Sequence, residues 1–334
     1  MRITLLAAVL VLALVGAGGY VWNVRRDQAA TLAKAPAVAT GGDLAALRAA
    51  PHIVFRSTAL GQGYGEVAVA PLTAPDGPRA FTPAVCERIY ATADDAICLS
   101  ADRGIVTTYK AELLDAAWAP AHDLPLTGLP SRARLSRDGS LVATTTFVFG
   151  DSYANPGQFS TRTLVTRTDG AVVGDIEKFK LTVDGKAITA ADKNLWGVTF
   201  FDDDKFYATA ASGGKTWLVE GSIAGRTVTA LRPDAECPSL SPDRTRIAFK
   251  KHGDLAPGKW RLAVYDLRTR KETVLAETHS VDDQVEWLDD ATVIYGLPRE
   301  DEASASSDVW AVPADGTGAP RVLVHDAWSP AVVR

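Results

Sequence analysis

The sequence has few of the residues that catalytic and metal sites require. Its five histidines are scattered and form neither an HExxH motif nor a facial triad of two histidines and a carboxylate. The three cysteines have no CxxC spacing and no zinc-ligand spacing. A G-x-S-x-G motif, which would mark the nucleophile of a serine hydrolase, is absent. We therefore expect no catalytic residues, no metal and no cofactor.

Clustered positive charge is also missing. The chain of 334 residues carries 35 Lys and Arg against 40 Asp and Glu, a formal net charge of −5, and has no basic block. Nucleic-acid binding depends on clustered Lys and Arg side chains that contact phosphates. We therefore expect no nucleic-acid partner. The hydrophobic fraction of 47% is ample for a buried core.

Long hydrophobic runs are absent except near the N-terminus. Ile3–Trp22 is an uncharged apolar run with arginines on both sides. Its length suits a membrane-spanning helix, whereas Val15-Gly16-Ala17 suits the cleavage site of a signal peptide. We expect residues 1–26 to be a transmembrane anchor or a signal peptide. The Ala-rich residues 27–50 should form a tether with at most one short helix.

Short strands dominate the remaining sequence. From Glu236 to Glu277, apolar and polar residues alternate in four short runs that turn residues separate. Side chains alternate faces along a strand, so a period of two indicates β-structure. A four-stranded antiparallel meander of about forty residues has the length of one propeller blade, and one such sheet cannot bury both of its faces alone. The segment therefore predicts further copies of itself.

Copies of this unit recur along residues 51–334. The LSRDG turn from Leu135 matches the LSPD turn from Leu240, and turn aspartates recur about every 40–46 residues with one longer interval. Five complete blades follow from these turns. The sixth is divided, because HIVFRS from His52 supplies a second strand and WSPAVV from Trp328 supplies the missing first strand. We predict an all-β fold, a six-bladed β-propeller of four-stranded antiparallel blades, closed by the C-terminal strand and preceded by an N-terminal apolar helix.

The cysteines bear on the cellular compartment. Cys86 and Cys98 lie on the first two strands of one hairpin, close enough for a disulfide, whereas Cys237 lies across the ring. A local pair with one leftover thiol suits an oxidising exterior, although three reduced, buried cysteines fit the same spacing. We expect an extracytoplasmic protein that is anchored to the cell membrane or secreted.

The segment LSPDRTRIAF, from Leu240 to Phe249, resembles the repeat of the TolB-like propellers. With its six predicted blades and its apolar N-terminal run, the chain is similar to bacterial TolB-like translocation proteins, which are membrane-anchored or secreted. The resemblance covers residues 51–334, and the separate N-terminal domain of TolB itself has no counterpart here. It implies a binding scaffold rather than a reaction.

One face of the predicted propeller collects polar loops. In a propeller, the loops that lead into the first strands share a face with the loops that join the second and third strands, and long loops often carry function. We interpret the polar residues of this face either as charge pairs that hold the blades in register or as a binding site. The candidate binding residues are Arg132, Arg134, Asp151, Ser152, Tyr153, Asn194, Trp196, Glu236, Lys250, Lys251, Asp282, Asp283, Gln284 and Glu286.

Two classes of function follow from this face. The favoured one is a non-enzymatic cell-envelope binding or scaffold protein that presents the face to a protein, peptide or glycan partner. The alternative is a propeller enzyme, such as a lactonase-like hydrolase or a sugar dehydrogenase, that uses a metal or cofactor held in the channel. The channel-facing candidates include acids but no histidine, which disfavours the enzyme.

Overall fold

The computed structural model describes residues 15–27, 38–61, 63–104, 106–148, 160–300 and 306–334, together with Ala13 and Ala30. In this part of the chain the strands form six sheets, the blades, which follow one another around a central axis. The predicted all-β, six-bladed propeller is therefore confirmed.

Blades 1 to 3 contain the first eleven strands and the last one. Blade 1 consists of β1 (His52–Ser57), β2 (Glu66–Pro71), β3 (Ala80–Val85) and β26 (Ala327–Val333). Blade 2 consists of β4 (Arg88–Ala91), β5 (Ala96–Arg103), β6 (Thr107–Leu114) and β7 (Pro120–Leu124). Blade 3 consists of β8 (Leu129–Leu135), β9 (Leu141–Val148), β10 (Ser160–Arg167) and β11 (Val172–Asp175).

Blades 4 to 6 contain the other strands. Blade 4 consists of β12 (Lys180–Val183), β13 (Lys186–Ile188), β14 (Asn194–Phe200), β15 (Lys205–Ser212), β16 (Lys215–Ser222) and β17 (Thr227–Pro233). Blade 5 consists of β18 (Glu236–Leu240), β19 (Arg246–Lys251), β20 (Arg261–Asp266) and β21 (Glu272–Val274). Blade 6 consists of β22 (Glu286–Asp289), β23 (Thr292–Pro298), β24 (Ser307–Pro313) and β25 (Arg321–Val324).

The hydrophobic core lies between neighbouring blades. On β19, Ile247 and Phe249 pack against blade 4, whereas Ala248 packs against Trp287 and Val293 of blade 6. The period-two pattern of the sequence thus buries both faces of the same sheet. The described residues form six such clusters, one between each pair of neighbouring blades. Because a fully buried apolar side chain contributes about 1.5–3 kcal/mol, these clusters hold the ring together.

The two ends of the chain close the ring as predicted. β26 is the innermost strand of blade 1 and pairs antiparallel with β1, with Val332 opposite Ile53 and Ala331 opposite Val54. The hydroxyl of Ser329 accepts from the backbone N–H of Ile89 in blade 2 at 3.2 Å. The C-terminal strand therefore completes one blade and contacts the next.

Blade 4 carries the extra segment that its longer sequence interval indicates. β12 and β13 form a hairpin, and β12 pairs in parallel with β17 at the outer edge. The turn contains Asp184 and Gly185, which have φ angles of 49° and 75°. Two consecutive positive φ angles are typical of the tight turns that join hairpin strands.

The innermost strands of three blades share a bulge near their start. Gly197, Cys237 and Ser329 have positive φ angles, and the register of pairing shifts at each. A Cβ atom at Gly197 would lie 3.0 Å from the Cα atom of Cys237, so glycine permits blades 4 and 5 to approach closely here. Two of the bulges place the carbonyls of Val198 and Pro238 within hydrogen-bonding distance of the Gln284 side chain, which is described below.

The described residues before the propeller include two helical stretches. Residues 15–27 form helix α1, and Leu44–Arg48 form the short helix α2, whose capping residue Asp43 accepts from the N–H of Ala45 at 3.0 Å. Leu44 and Leu47 pack against the core between blades 1 and 2. None of the helices in the described residues has both the length and the apolarity needed to cross a membrane. The predicted anchor or signal peptide begins in residues outside this description.

Cys86 and Cys98 form a disulfide, with their Cα atoms 5.5 Å apart. Cys86 directly follows blade 1, and Cys98 lies on β5 of blade 2. The bond therefore fixes the start of blade 2 at its junction with blade 1. Cys237, on β18, is a buried free thiol.

Candidate functional site

The centre of the ring contains residues 282–286, which lead into blade 6 and which we call the central segment. Asp283 accepts a hydrogen bond from Nη1 of Arg88 at 2.9 Å and lies 4.0 Å from Nη2 of Arg132. Gln284 donates to backbone carbonyls of blades 5 and 4 at 2.9 and 3.3 Å. The central segment therefore bonds to four other blades.

Arg134 on β8 is buried and bonds to the same segment. It donates to the Glu286 carboxylate and, at 2.6 Å, to the carbonyl of Val285. Its guanidinium lies 4.5 Å from the ring centroid of Tyr90. Burial, with the nearby Glu286 charge, raises the pKa of Tyr90 to about 12, so this phenol stays protonated. These contacts join blades 2, 3 and 6.

Most of the candidate residues from the channel are thus paired with one another. The space left among them is about 20 Å³, which is no more than a water molecule needs. This geometry supports the interpretation that charge pairs hold the blades in register. The candidates in this group are Arg132, Arg134, Asp283, Gln284 and Glu286.

Open space on the same face lies between blades 4 and 5, in a cavity of about 650 Å³ that we call the blade 4–5 pocket. The first residues of β14 and β18 line its base, and the loops after β15 and β19 form its walls. Its apolar walls come from Trp196, Trp260, Leu255 and Pro257. The size is within the range of small-molecule and peptide side-chain sites.

Glu236 is a buried carboxylate in this pocket. Its Oε1 atom lies 3.0 Å from Nε2 of His252 and accepts from the indole N–H of Trp260 at 3.3 Å. The other ring nitrogen of His252 lies 3.0 Å from the carbonyl of Lys259. The imidazole and indole rings pack with their centroids 5.0 Å apart. Glu236 therefore fixes the orientation of both rings.

Lys250 connects the pocket to the central segment. It is buried, with 4% of its surface exposed, and its ammonium bonds to the Asp282 carboxylate. The same nitrogen lies 3.8 Å from Glu236 and 4.0 Å from the ring centroid of Trp260. A cation this close to an indole face is an attractive contact. Asp282 itself has a largely exposed side chain at the channel mouth.

Asn194 lines the pocket and also joins blades 3 and 4. Its Oδ1 atom accepts from the N–H of Thr161 at 3.1 Å. Beside it, Glu177 accepts from the N–H of Leu195 at 3.0 Å and from the Thr161 hydroxyl at 3.0 Å. Burial of the Glu177 carboxyl raises its pKa to about 8.

Among the described candidates, Lys251 does not line the blade 4–5 pocket. Lys251 points to the rim, where it pairs with Glu272 at 2.7 Å and lies 3.7 Å from Asp234. Asp151, Ser152 and Tyr153 lie outside the described residues.

The pocket contains residues that the sequence did not single out as ligands. In the sequence, Trp260 serves only to align the third strand of this blade with those of the other repeats. In the structure it lies directly before β20 and lines the cavity. Leu255 and Pro257 lie in the polar loop between two strands. Hydrophobic residues in such a loop could have indicated a pocket wall from the sequence alone. In the described part of the chain, no three His, Cys, Asp or Glu side chains are grouped so that they could hold a metal ion.

Comparisons with known proteins agree with this architecture. No family model and no curated protein matches the sequence. TolB from Acinetobacter baumannii matches the structure with a TM-score of 0.56 and 14% identity, covering 88% of this chain and 68% of that one. The chain has the TolB-like six-bladed propeller fold.

Other solved structures resemble the TolB-like propeller to a similar degree. A chain of a nidogen/laminin complex has a TM-score of 0.56 and 12% identity, with coverage of 84% of this chain and 98% of that one. A putative TolB from Agrobacterium tumefaciens has a TM-score of 0.49 and 13% identity, with coverage of 82% and 87%. The likeness is one of fold.

Proposed function

We propose that the protein is a non-enzymatic binding module of the cell envelope, which holds a peptide segment of a partner protein in the blade 4–5 pocket. The observation that carries this proposal is an open, tryptophan-walled cavity beside a group of paired side chains at the centre of the same face. This cavity is a place where a ligand side chain can lose its contact with water.

The walls of the pocket suit a peptide side chain. Trp196 and Trp260 supply flat apolar surface, and tryptophan is enriched among the residues that dominate binding energy at protein interfaces. Glu236 and His252 hold Trp260 in place through the hydrogen bond and ring contact described above. A pocket wall that is ordered before binding reduces the conformational entropy that the protein loses when the ligand binds.

The polar groups of the pocket are placed for recognition rather than for proton transfer. Both ring nitrogens of His252 face acceptors, Glu236 on one side and the Lys259 carbonyl on the other. The Glu236 carboxylate is also held by Trp260 and lies near Lys250. A general base needs a free lone pair within reach of the substrate. These groups are already engaged, which supports a binding role.

Three observations support a protein partner outside the cytoplasm. The disulfide between Cys86 and Cys98 suits an oxidising compartment. The apolar run Ile3–Trp22 suits export or anchoring in the membrane. A fold neighbour belongs to a complex of two proteins, nidogen and laminin, so this architecture is compatible with protein binding.

Site-specific photo-crosslinking in intact cells tests the proposal. A photoreactive amino acid replaces Leu255, which lines the pocket and is 40% exposed, or the control residue Val274, which is 46% exposed on the outer strand of blade 5. We expect a discrete adduct from position 255 alone, and a loss of at least about fivefold when Trp260→Ala is added.

The chemistry of the adduct decides the class of partner. After proteolysis, a protein partner leaves the propeller peptide around position 255 crosslinked to one peptide segment of the partner, which mass spectrometry identifies. The same propeller peptide carrying a glycan mass instead would contradict the peptide. Equal adducts from positions 255 and 274, or no adduct from position 255, would contradict the pocket as the binding site.

A further inference from the structure

A second cavity of about 300 Å³ opens on the same face, beside blades 1 and 2 and opposite the blade 4–5 pocket in the ring. It is lined by three arginines, Arg56 at the end of β1, Arg88 at the start of β4 and Arg103 at the end of β5. Glu87, Tyr109, Thr58 and Ser307 contribute the other polar side chains of its lining. We call this cavity the arginine pocket.

The described charges of the arginine pocket do not balance. Glu87 lies 2.6 Å from Arg103 and 3.9 Å from Arg56, so one carboxylate serves two guanidinium groups. Arg88 has its own partner, Asp283, at 2.9 Å in the channel. Among the described residues that line the cavity, three arginines thus face one carboxylate, which leaves an excess of positive charge.

The position of Arg88 adds to this excess. Arg88 and Arg132 share Asp283, and only Arg88 lies within hydrogen-bonding distance of it. Burial, together with the charge of Arg132, lowers the pKa of Arg88 to about 10. The guanidinium stays charged at neutral pH but is incompletely neutralised. An anion in the adjoining cavity would stabilise it.

The arginines are held in place before any ligand binds. Nε of Arg56 donates to the carbonyl of Cys86 at 2.9 Å, and Cys86 is fixed by its disulfide to Cys98. The guanidinium of Arg56 also lies 5.0 Å from the ring centroid of Tyr64. Arg88 lies at the same distance from the ring of Trp328 on β26. Guanidinium groups that stack on aromatic rings keep a defined plane.

We propose that the arginine pocket binds a carboxylate group of a ligand. The planar fork of a guanidinium matches the two oxygens of a carboxylate. The excess of positive charge among these guanidinium groups favours an anionic ligand at this position. This site is separate from the blade 4–5 pocket, and it stands whether or not that pocket holds a peptide.

Isothermal titration calorimetry of the propeller with matched probes tests this assignment. The probes are N-acetyl-trialanine with a free C-terminal carboxylate, the same peptide with a C-terminal amide, and inorganic phosphate, all at one ionic strength. We expect the acid to bind, the amide to show no binding, and phosphate to bind more weakly than the acid.

Two substitutions that remove the same charge locate the site. Arg103→Gln should weaken binding of the acid about tenfold, as expected for the loss of one hydrogen bond between charged groups. Arg268→Gln, in an exposed loop between the third and fourth strands of blade 5, should leave affinity unchanged. The side chain of Arg103 is 66% exposed, so both variants should melt at the wild-type temperature.

Several results would overturn the assignment. Equal binding of the acid and the amide, or no binding of either, would show that the pocket does not recognise a carboxylate. Phosphate binding tighter than the acid would replace the carboxylate with a phosphate group. Equal losses in Arg103→Gln and Arg268→Gln would show a general charge effect rather than a site.

Discussion

Arg134 is a buried cation whose described hydrogen bonds all reach other blades. It donates to Val285, which directly precedes blade 6, and to Glu286, the first residue of that blade. It also lies 3.5 Å from the hydroxyl of Ser239 in blade 5. Removing one partner of a buried ion pair leaves the other charge desolvated and unpaired. The guanidinium therefore contributes mainly to the cohesion of the ring.

Substitution of this residue should be costly for stability. We expect Arg134→Ala to lower the free energy of unfolding by about 3–5 kcal/mol, because Glu286 would remain buried without its partner. Arg137→Ala, at an exposed arginine three residues further along, should change it by less than about 1 kcal/mol. Chemical denaturation of both variants checks this. A small effect of Arg134→Ala, with loss of ligand binding instead, would make the residue a recognition group.

The carboxyl of Glu177 should make stability depend on pH. Its pKa rises from 4.5 to about 8 on folding. Between pH 4.5 and pH 8 the carboxyl has therefore lost its proton in the unfolded chain but keeps it in the folded protein. The free energy of unfolding should therefore fall as pH rises through this window, by up to about 1.4 kcal/mol per pH unit.

Glu177→Gln should remove this contribution, so the variant should gain stability relative to the wild type at pH 8 but not at pH 4.5. Urea denaturation between these pH values measures it. Glu300→Gln, at an exposed position, serves as the control and should retain the wild-type profile. Parallel pH profiles for the wild type and Glu177→Gln would rule out this carboxyl as the source.

At the level of elements, β26 has the largest consequence for the fold. It provides the innermost strand of blade 1, and Ala331 and Val333 are buried in the core between blades 1 and 2. Without it, β1 would present an unpaired edge to the channel. Exposed strand edges promote pairing with other chains.

Deletion of residues 329–334 should abolish cooperative unfolding or cause aggregation, because both strand hydrogen bonds and core contacts are lost. Deletion of Arg334 alone, which follows the strand and is exposed, should be neutral. Calorimetry and light scattering on both truncations distinguish the outcomes. An unchanged transition for the longer deletion would contradict closure by the C-terminal strand.

At the level of the whole molecule, the loop face divides into three zones. The centre is filled by paired side chains, and the two cavities lie on opposite sides of it. One cavity is walled by tryptophan and the other by arginine. The face therefore offers two chemically distinct contacts to partners that approach from the same direction.

Metal content separates the proposed binding function from the alternative of a propeller enzyme with a channel-bound metal. Because no three His, Cys, Asp or Glu side chains in the described part of the chain are grouped so that they could hold a metal ion, we expect purified protein to contain no stoichiometric calcium or transition metal. A chelator should leave the melting temperature unchanged, since a ligand that binds only the folded state would stabilise it. Elemental analysis and melts with and without chelator measure both. One bound metal per chain, with a lower melting temperature in chelator, would favour the enzyme.

Much of the fold could be predicted because its signals are local. The alternation in TRIAFKK and the turn at Ser241-Pro242-Asp243 each depend on a few adjacent residues. The pairing of WSPAVV with HIVFRS could be inferred because each half of the divided blade keeps its own pattern. For the candidate site, the sequence predicted only the face of the propeller on which it lies, because the strand order fixes which loops lie together.

The sequence by itself determined the six blades, the split blade and the side of the ring that collects polar loops, because side-chain alternation and turn chemistry act within single strands and hairpins. Tertiary structure decided what each polar residue does. Arg134 and Glu286 are 152 residues apart, and their pairing depends on where the packed blades place both side chains around the axis. The same packing leaves open space beside Trp196 and Arg88 while it fills the centre.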